Sequence, residues 1–189
     1  MKVSREQRAR NREAILDAAS RIFRERGVGR VGLEEVARAA GMTQGALYSH
    51  FGSKDDLVAA ACAHALAGAD ASWCGADDAS RALTKLYLSE EHCANPGGGC
   101  AFAAVGAEFA RLAAPARGVM TTSLREEFDA LAAALEGGPA ARRREAISTF
   151  AGLVGTLILA RGVDDDALRG EILASGRAVF GGRGLKEGA

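Results

Sequence analysis

The stretch Thr43-Gln44-Gly45-Ala46-Leu47-Tyr48-Ser49-His50-Phe51 separates polar from apolar groups at helical spacing. Leu47 and Phe51 stand four apart and face one way, toward a core. Gln44, Gly45, Tyr48 and Ser49 face the other way. Thr43 stands where an N-cap hydroxyl takes up a free backbone N–H of the first turn. The outer side therefore offers an amide, hydroxyls and backbone, without a carboxylate, which suits phosphates and base edges. Gln44 is the best direct reader there, because its amide can pair bidentately with adenine in a major groove. Gly45 lets backbone approach closely, and Ala46 and Tyr48 can meet a thymine methyl or a sugar.

A second set of reactive residues is Cys62, Cys74, Cys93 and Cys100. Their spacing contains no CxxC pair, so it suggests neither a disulfide framework nor a zinc site, even with His64 and His92 nearby in sequence. His92 and Cys93, adjacent on a helix, point apart. Cys100 follows Gly97-Gly98-Gly99 and begins a helix, a position that stabilises a thiolate. Two readings stay open: a sensor thiol with Cys93 as resolving partner, or a small buried apolar residue. A thiol enzyme pairing Cys100 with His92 is a weaker alternative, because nothing orients a third group.

The elements that must position these residues are all helical. β-Branched residues are few, Ala is abundant and no run alternates with period two. A first helix is expected from about Arg8 to Arg26, with Ile15, Ala18, Ala19, Ile22 and Phe23 as its apolar face. Leu33, Val36, Ala37 and Ala40 mark a second helix, which Gly41 ends with the left-handed residue a tight turn needs. Helix, glycine turn and second short helix make a helix-turn-helix over about 33–51. Ser53 and Asp56 read as a capping box opening a fourth helix to about residue 70.

Beyond it, one helix is expected over about 78–93, then the breaker Asn95-Pro96-Gly97-Gly98-Gly99. Another helix runs from near Cys100 to about Ala113, and a further one covers 116–136. Pro139 is placed to start a long helix to about Arg161. Asp164, Asp165 and Asp166 open the last, which reaches about Phe180.

Residues Ala14 to Leu57 resemble the DNA-binding domain of the TetR family of bacterial repressors. The resemblance rests on Ile15-Leu16-Ala18-Ala19, Phe23, Gly27, Val36-Ala37, Ala40-Gly41, Gly45, Leu47-Tyr48, His50-Phe51, Lys54 and Leu57. It covers roughly a quarter of the chain. Two positions depart from the family's pattern: Gly32 stands where Thr or Ser is usual, and Ser49 where a large or basic residue is more common. The resemblance implies an all-α chain with a DNA-binding head over 1–55 and an effector-binding and dimerisation body over 56–189. It also implies phosphate contacts from Thr43, Tyr48, His50 and Lys54. By the same resemblance, the body would enclose a small-molecule pocket. Candidates for it are Trp73, Tyr87, Cys100, Phe102, Phe109, Met120, Phe128 and Leu153, with His92 and Glu108 as polar groups. Glu108 would meet either a ligand or Arg111 or Arg117. Aromatic and aliphatic lining suggests a lipophilic effector.

In the family the last two long helices pair across a homodimer. The stripes Phe150, Ala151, Val154, Ile158 and Leu168, Ile172, Ser175, Val179 are the candidates here, with Ile147 beside them. Gly152, Gly155, Ala174 and Gly176 allow close helix approach. Monomer core is the alternative use of these stripes. A symmetric dimer suits an inverted-repeat operator whose half-sites lie about 34–36 Å apart. Repression and activation share this architecture. Some family members sense oxidants through cysteine, which bears on Cys100.

Charge distribution agrees with a polyanion partner. The 189 residues carry no net formal charge, but residues 1–55 hold 11 Lys or Arg against 7 Asp or Glu, and the remainder 13 against 17. Lys2, Arg5, Arg8, Arg10 and Arg12 crowd the first turns and form either a DNA-contacting arm or a solubilising tail. The N-terminus lacks a secretory pattern, and the apolar stretch 150–160 is too short to span a membrane. A cytoplasmic protein without cofactor or metal is expected.

Overall fold

The computed structural model describes residues 4–67 and 79–181. Among these residues the regular elements are helices, without a strand. They divide between two compact units, one within residues 1–69 and 100–121, the other within 70–99 and 122–189. This division differs from the expected split after residue 55. The physical reason is that residues 100–121 supply Val105, Phe109 and Ala116 to the same core as the head.

The first unit begins with α1 (Arg5–Arg26), one turn longer than expected because Ser4 caps it, accepting a hydrogen bond from the Gln7 N–H at 3.1 Å. Next come α2 (Leu33–Ala39), α3 (Gln44–Tyr48) and α4 (Lys54–Ala67). Ile15, Ala19, Ile22 and Phe23 on α1 meet Val36, Leu47, Phe51, Leu57 and Ala61 in one buried cluster. The helix α7 (Ala101–Phe109) packs onto α1 and α4, and Phe109 is only 2% exposed there. Its carboxylate Glu108 reaches back to the loop after α1 and accepts the Gly29 N–H at 3.0 Å.

The second unit holds α5 (Ala79–Tyr87), α6 (Glu90–Ala94), α9 (Pro139–Gly162) and α10 (Asp166–Phe180). Helix α8 (Ala114–Ala133) starts in the first unit and contributes its later residues to the second. The single helix expected over 78–93 is two helices. Ser89 adopts extended backbone and accepts the His92 N–H at 3.1 Å, starting α6 afresh. Two arginines then satisfy carbonyls that these helix ends leave open. Arg177 donates to the Leu88 carbonyl at 2.6 Å, and Arg161 donates to those of His92 and Cys93 at 2.6 and 3.1 Å.

Helices α9 and α10 pack closely within one chain. A side chain at Gly152 would collide with the Phe180 ring, and one at Gly176 with Leu88 and Thr156. These two glycines serve contacts inside the protomer, whereas Gly155 faces open space and Ala174 is exposed. Asp165 caps α10 by accepting the Leu168 N–H at 3.0 Å. No helix among the described residues is long and apolar enough to cross a membrane.

Candidate nucleic-acid interface

The turn between α2 and α3 is built by Gly41 at φ +69°. Nothing lies within 4 Å of a side chain placed there, so the glycine answers to backbone angle and not to space. Two hydrogen bonds close the turn, Gly41 N–H to the Arg38 carbonyl and Met42 N–H to that of Ala37. Thr43 then adopts extended backbone, and its hydroxyl accepts the Ala46 N–H at 3.2 Å. Leu47 is fully buried and Phe51 nearly so, which fixes the rotation of α3.

That rotation leaves Thr43, Gln44, Gly45, Tyr48 and Ser49 exposed, with Ala46, His50 and Lys54 half-buried. Tyr48 retains 50% of its surface, a large value for an aromatic residue. Gly45 has no atom within 4 Å of where a side chain would stand. The stretch therefore presents an open, shallow surface around the Gln44 amide and Tyr48 phenol.

The polar neighbours are more committed to the fold than their types suggest. Lys54 Nζ donates to the Val31 carbonyl at 2.7 Å, tying α4 to the loop before α2. The Ser49 hydroxyl donates to the Ala46 carbonyl at 2.7 Å. Gly32 starts α2 without a side-chain cap.

Two basic residues of α1 also join this surface. Arg8 donates to the Ser49 carbonyl at 2.9 Å, and the Arg12 guanidinium lies 5.2 Å from the centre of the Phe51 ring. His50 is pushed below the usual imidazole range by burial first, then by the positive charges of Arg8 and Arg12. Sequence signalled the basic arm but not its placement. Some forty residues separate Arg8 from Ser49, and no local pattern encodes that contact.

The residues proposed for an effector pocket fall in both units. Cys100, Phe102, Glu108, Phe109 and Met120 belong to the first; Tyr87, His92, Phe128 and Leu153 belong to the second. Trp73 lies outside the described residues, as does Cys74. Three assignments change. Phe109 and Leu153, at 2% and 0% exposure, are core. Glu108 meets neither Arg111 nor Arg117: its carboxylate is taken by the Gly29 N–H and covers Gly27, whose φ is +84°. Phe128 stacks edge-on against Phe150, ring centres 5.7 Å apart, with Arg143 over its face. His92 Nδ1 lies 2.7 Å from the Tyr87 carbonyl, and burial lowers its pKa.

The cysteines differ in environment. Burial, reinforced by the Glu108 charge, raises the Cys62 thiol to about 11. Cys93 is buried at 6% exposure. Cys100 is half-buried at the N-cap of α7.

The dimer stripes are partly exposed. Ile158, Leu168 and Val179 are 44%, 43% and 46% exposed, and Ala151 and Ser175 are exposed too. Val154 and Ile172 are half-buried. Phe150 departs from this set: at 8% exposure it faces inward onto Phe128. Ile147 and Leu159, 40% and 63% exposed, extend the apolar surface.

Among the described residues, an all-α fold thus carries a helix-turn-helix whose second helix exposes an uncharged polar face. Residues 15–61 match the family model described as bacterial regulatory proteins, tetR family. Over 46 residues it is 52% identical to the HTH-type transcriptional regulator AcrR of Shigella flexneri, covering 24% of this chain and 21% of that one. Over 57 residues it is 47% identical to the HTH-type transcriptional repressor BepR of Brucella suis, covering 30% and 27%. The match thus spans about a quarter of those relatives' length.

The whole fold is similar to that of Escherichia coli NemR in its reduced form. The TM-score is 0.77 at 20% identity, over 95% of this chain and 98% of that one. A TetR-family regulator from Agrobacterium tumefaciens gives 0.74 at 19% identity, over 92% and 98%. At these identities the likeness concerns fold. The relatives matched over this domain are named as an HTH-type transcriptional regulator and an HTH-type transcriptional repressor.

Proposed function

We propose that the chain is a homodimeric transcriptional repressor that binds an inverted-repeat operator through α3 and is released by a small lipophilic effector. The observation that carries the DNA-reading part is the exposed, uncharged polar face of α3. Its Gln44 and Tyr48 side chains make no hydrogen bond among the described residues. Gln44 reads a base edge, Gly45 and Ala46 admit the groove wall, and Tyr48, Thr43 and His50 hold phosphates. Ser49 and Lys54 act mainly by placing backbone. Lys54 holds α4 to the loop before α2. The exposed residues Ile158, Leu168 and Val179 support pairing of α9 and α10 with a second copy.

Gel shifts at fixed salt on DNA upstream of the chain's own gene test this reading. Gln44→Ala is expected to relax preference at one base pair, while Tyr48→Phe weakens all sequences alike. Equal, sequence-independent losses for both would sink the division of roles. The effector part requires a ligand that favours the released state over the DNA-bound one. Of the pocket candidates, Cys100 and Met120 are half-buried in the first unit, and Tyr87 and His92 are half-buried in the second.

A second switching route has its own support. Cys100 stands half-buried at the N-cap of α7, within reach of a small thiol-reactive reagent. The similar NemR structure is described as a reduced form, a statement about that protein. Release of operator by a thiol-reactive electrophile, lost in Cys100→Ser, would select this route. Release by lipophilic compounds unaffected by Cys100→Ser would select the pocket.

A further inference from the structure

Away from the DNA-reading face, Glu13, Asp17 and His64 converge on the outside of the α1–α4 pair. One ligand atom from each lies within 4.8 Å of the other two. Glu13 and Asp17 are four apart on α1, so their carboxylates project from one side. His64 comes from the last turn of α4, and its Nε2 is 2.7 Å from Asp17 Oδ1. The pair alone would be an ordinary surface bridge. Glu13 changes that: a second carboxylate stands beside the first, and among the described residues no cation pairs with it. The arginines one turn to either side are engaged elsewhere: Arg10 is bonded to Gln7 at 2.8 Å and Arg21 to Glu25 at 3.1 Å.

The positions beneath the cluster are fixed. Ile15, Ala18 and Ala19 of α1 and Leu57 and Ala61 of α4 are buried between the two helices, and alanine on both sides keeps them close. The three donors therefore sit on a rigid scaffold and do not have to be gathered from loops.

We infer that Glu13, Asp17 and His64 form a binding site for a first-row divalent metal ion. Two carboxylate oxygens and one imidazole nitrogen, without sulfur, suit manganese, cobalt, nickel or zinc and disfavour monovalent copper. Small side-chain rotations bring the donors to the roughly 2.0–2.2 Å that such ions require, with water completing the shell. The ion takes the place of the proton now shared between His64 and Asp17. The imidazole binds through Nε2 as the neutral ring, its proton on Nδ1, and the two carboxylates match the ion's double charge. Because the donors come from both helices, occupancy staples α1 to α4 inside the DNA-reading unit.

The site is independent of the proposed function and is tested without DNA. Tag-free full-length chain is titrated with zinc, cobalt or manganese chloride by calorimetry, with the visible spectrum of cobalt as a second readout. Glu13→Gln and His64→Asn are run beside it; both positions lie at the surface, and circular dichroism confirms that each variant folds. The expected result is one ion per chain, a raised Tm in its presence, and at least a tenfold weaker affinity in each variant. No binding of any of the three ions overturns the inference. So does equal binding by wild type and both variants, which would place the ion elsewhere in the chain.

Discussion

Removing the Glu108 carboxylate gives the sharpest test of how the first unit holds its head. In Glu108→Ala the Gly29 N–H loses its acceptor at 3.0 Å, and the Gly27 turn loses the side chain that covers it. A hydrogen bond to a charged group contributes about 1.5–3 kcal/mol when the group left behind cannot be resolvated. Gly29 is exposed, so water replaces much of that bond, and the expected loss falls to about 1–1.5 kcal/mol. For a chain of this size such a loss lowers Tm by roughly 2–6 °C. Glu108→Gln retains an acceptor oxygen and should lose less than half as much.

The same substitution has a second, chemically distinct readout. The Glu108 charge contributes to raising the Cys62 thiol, so either variant should bring that pKa down from about 11. Urea unfolding monitored by circular dichroism supplies the first number. Hydrogen exchange at Gly29 supplies the location, and thiol titration the second readout. If Glu108→Ala unfolds with wild-type stability and Gly29 exchanges no faster, the carboxylate is a surface group and the account of this turn is wrong.

Three further outcomes follow from the geometry. Gly41→Ala should cost about 1–2 kcal/mol, because only the positive φ opposes it, and Gly41→Asn should cost less; equal stability of all three chains in urea would contradict this. DNA affinity should rise as pH falls through the range below 6.5. His50 begins there with a lowered pKa, and phosphate favours its charged form, so binding takes up a proton; the dependence should vanish in His50→Gln when measured by anisotropy at constant salt. Under native conditions Cys100 should react with a maleimide well before Cys62, whose thiol is raised, and Cys93, which is buried; labelling followed by peptide mapping reads the order, and Cys62 reacting first would refute it.

The head was legible in sequence because its signals are local. Gly41 demanded a left-handed turn, Thr43 offered a cap and Leu47 with Phe51 declared the inner side; each stands where those signals put it. Boundaries failed where a weak signal was overruled by a stronger neighbour. Within the single helix expected over 78–93 no glycine or proline marks a break, yet the Ser89 cap splits it.

Contacts between distant segments left no trace at all. Glu108 looked like a pocket group because it lies in an apolar helix, and only the fold brings it to Gly29. The stripe on α9 likewise mixed two faces: Ile158 is open, while Phe150, eight residues earlier, turns inward to Phe128. Helical periodicity places residues on a side. It does not say which partner covers that side.

Helix α3 spans only Gln44–Tyr48. So short a helix has no stability of its own in water, and its shape is imposed by the Thr43 cap, by Leu47 and Phe51 beneath, and by α2 packed against it. Gln44, Gly45 and Tyr48 contribute little to that framework. The vocabulary of the proposed reading surface is thereby uncoupled from its grammar: outward side chains can be exchanged while the same buried few keep the helix in place.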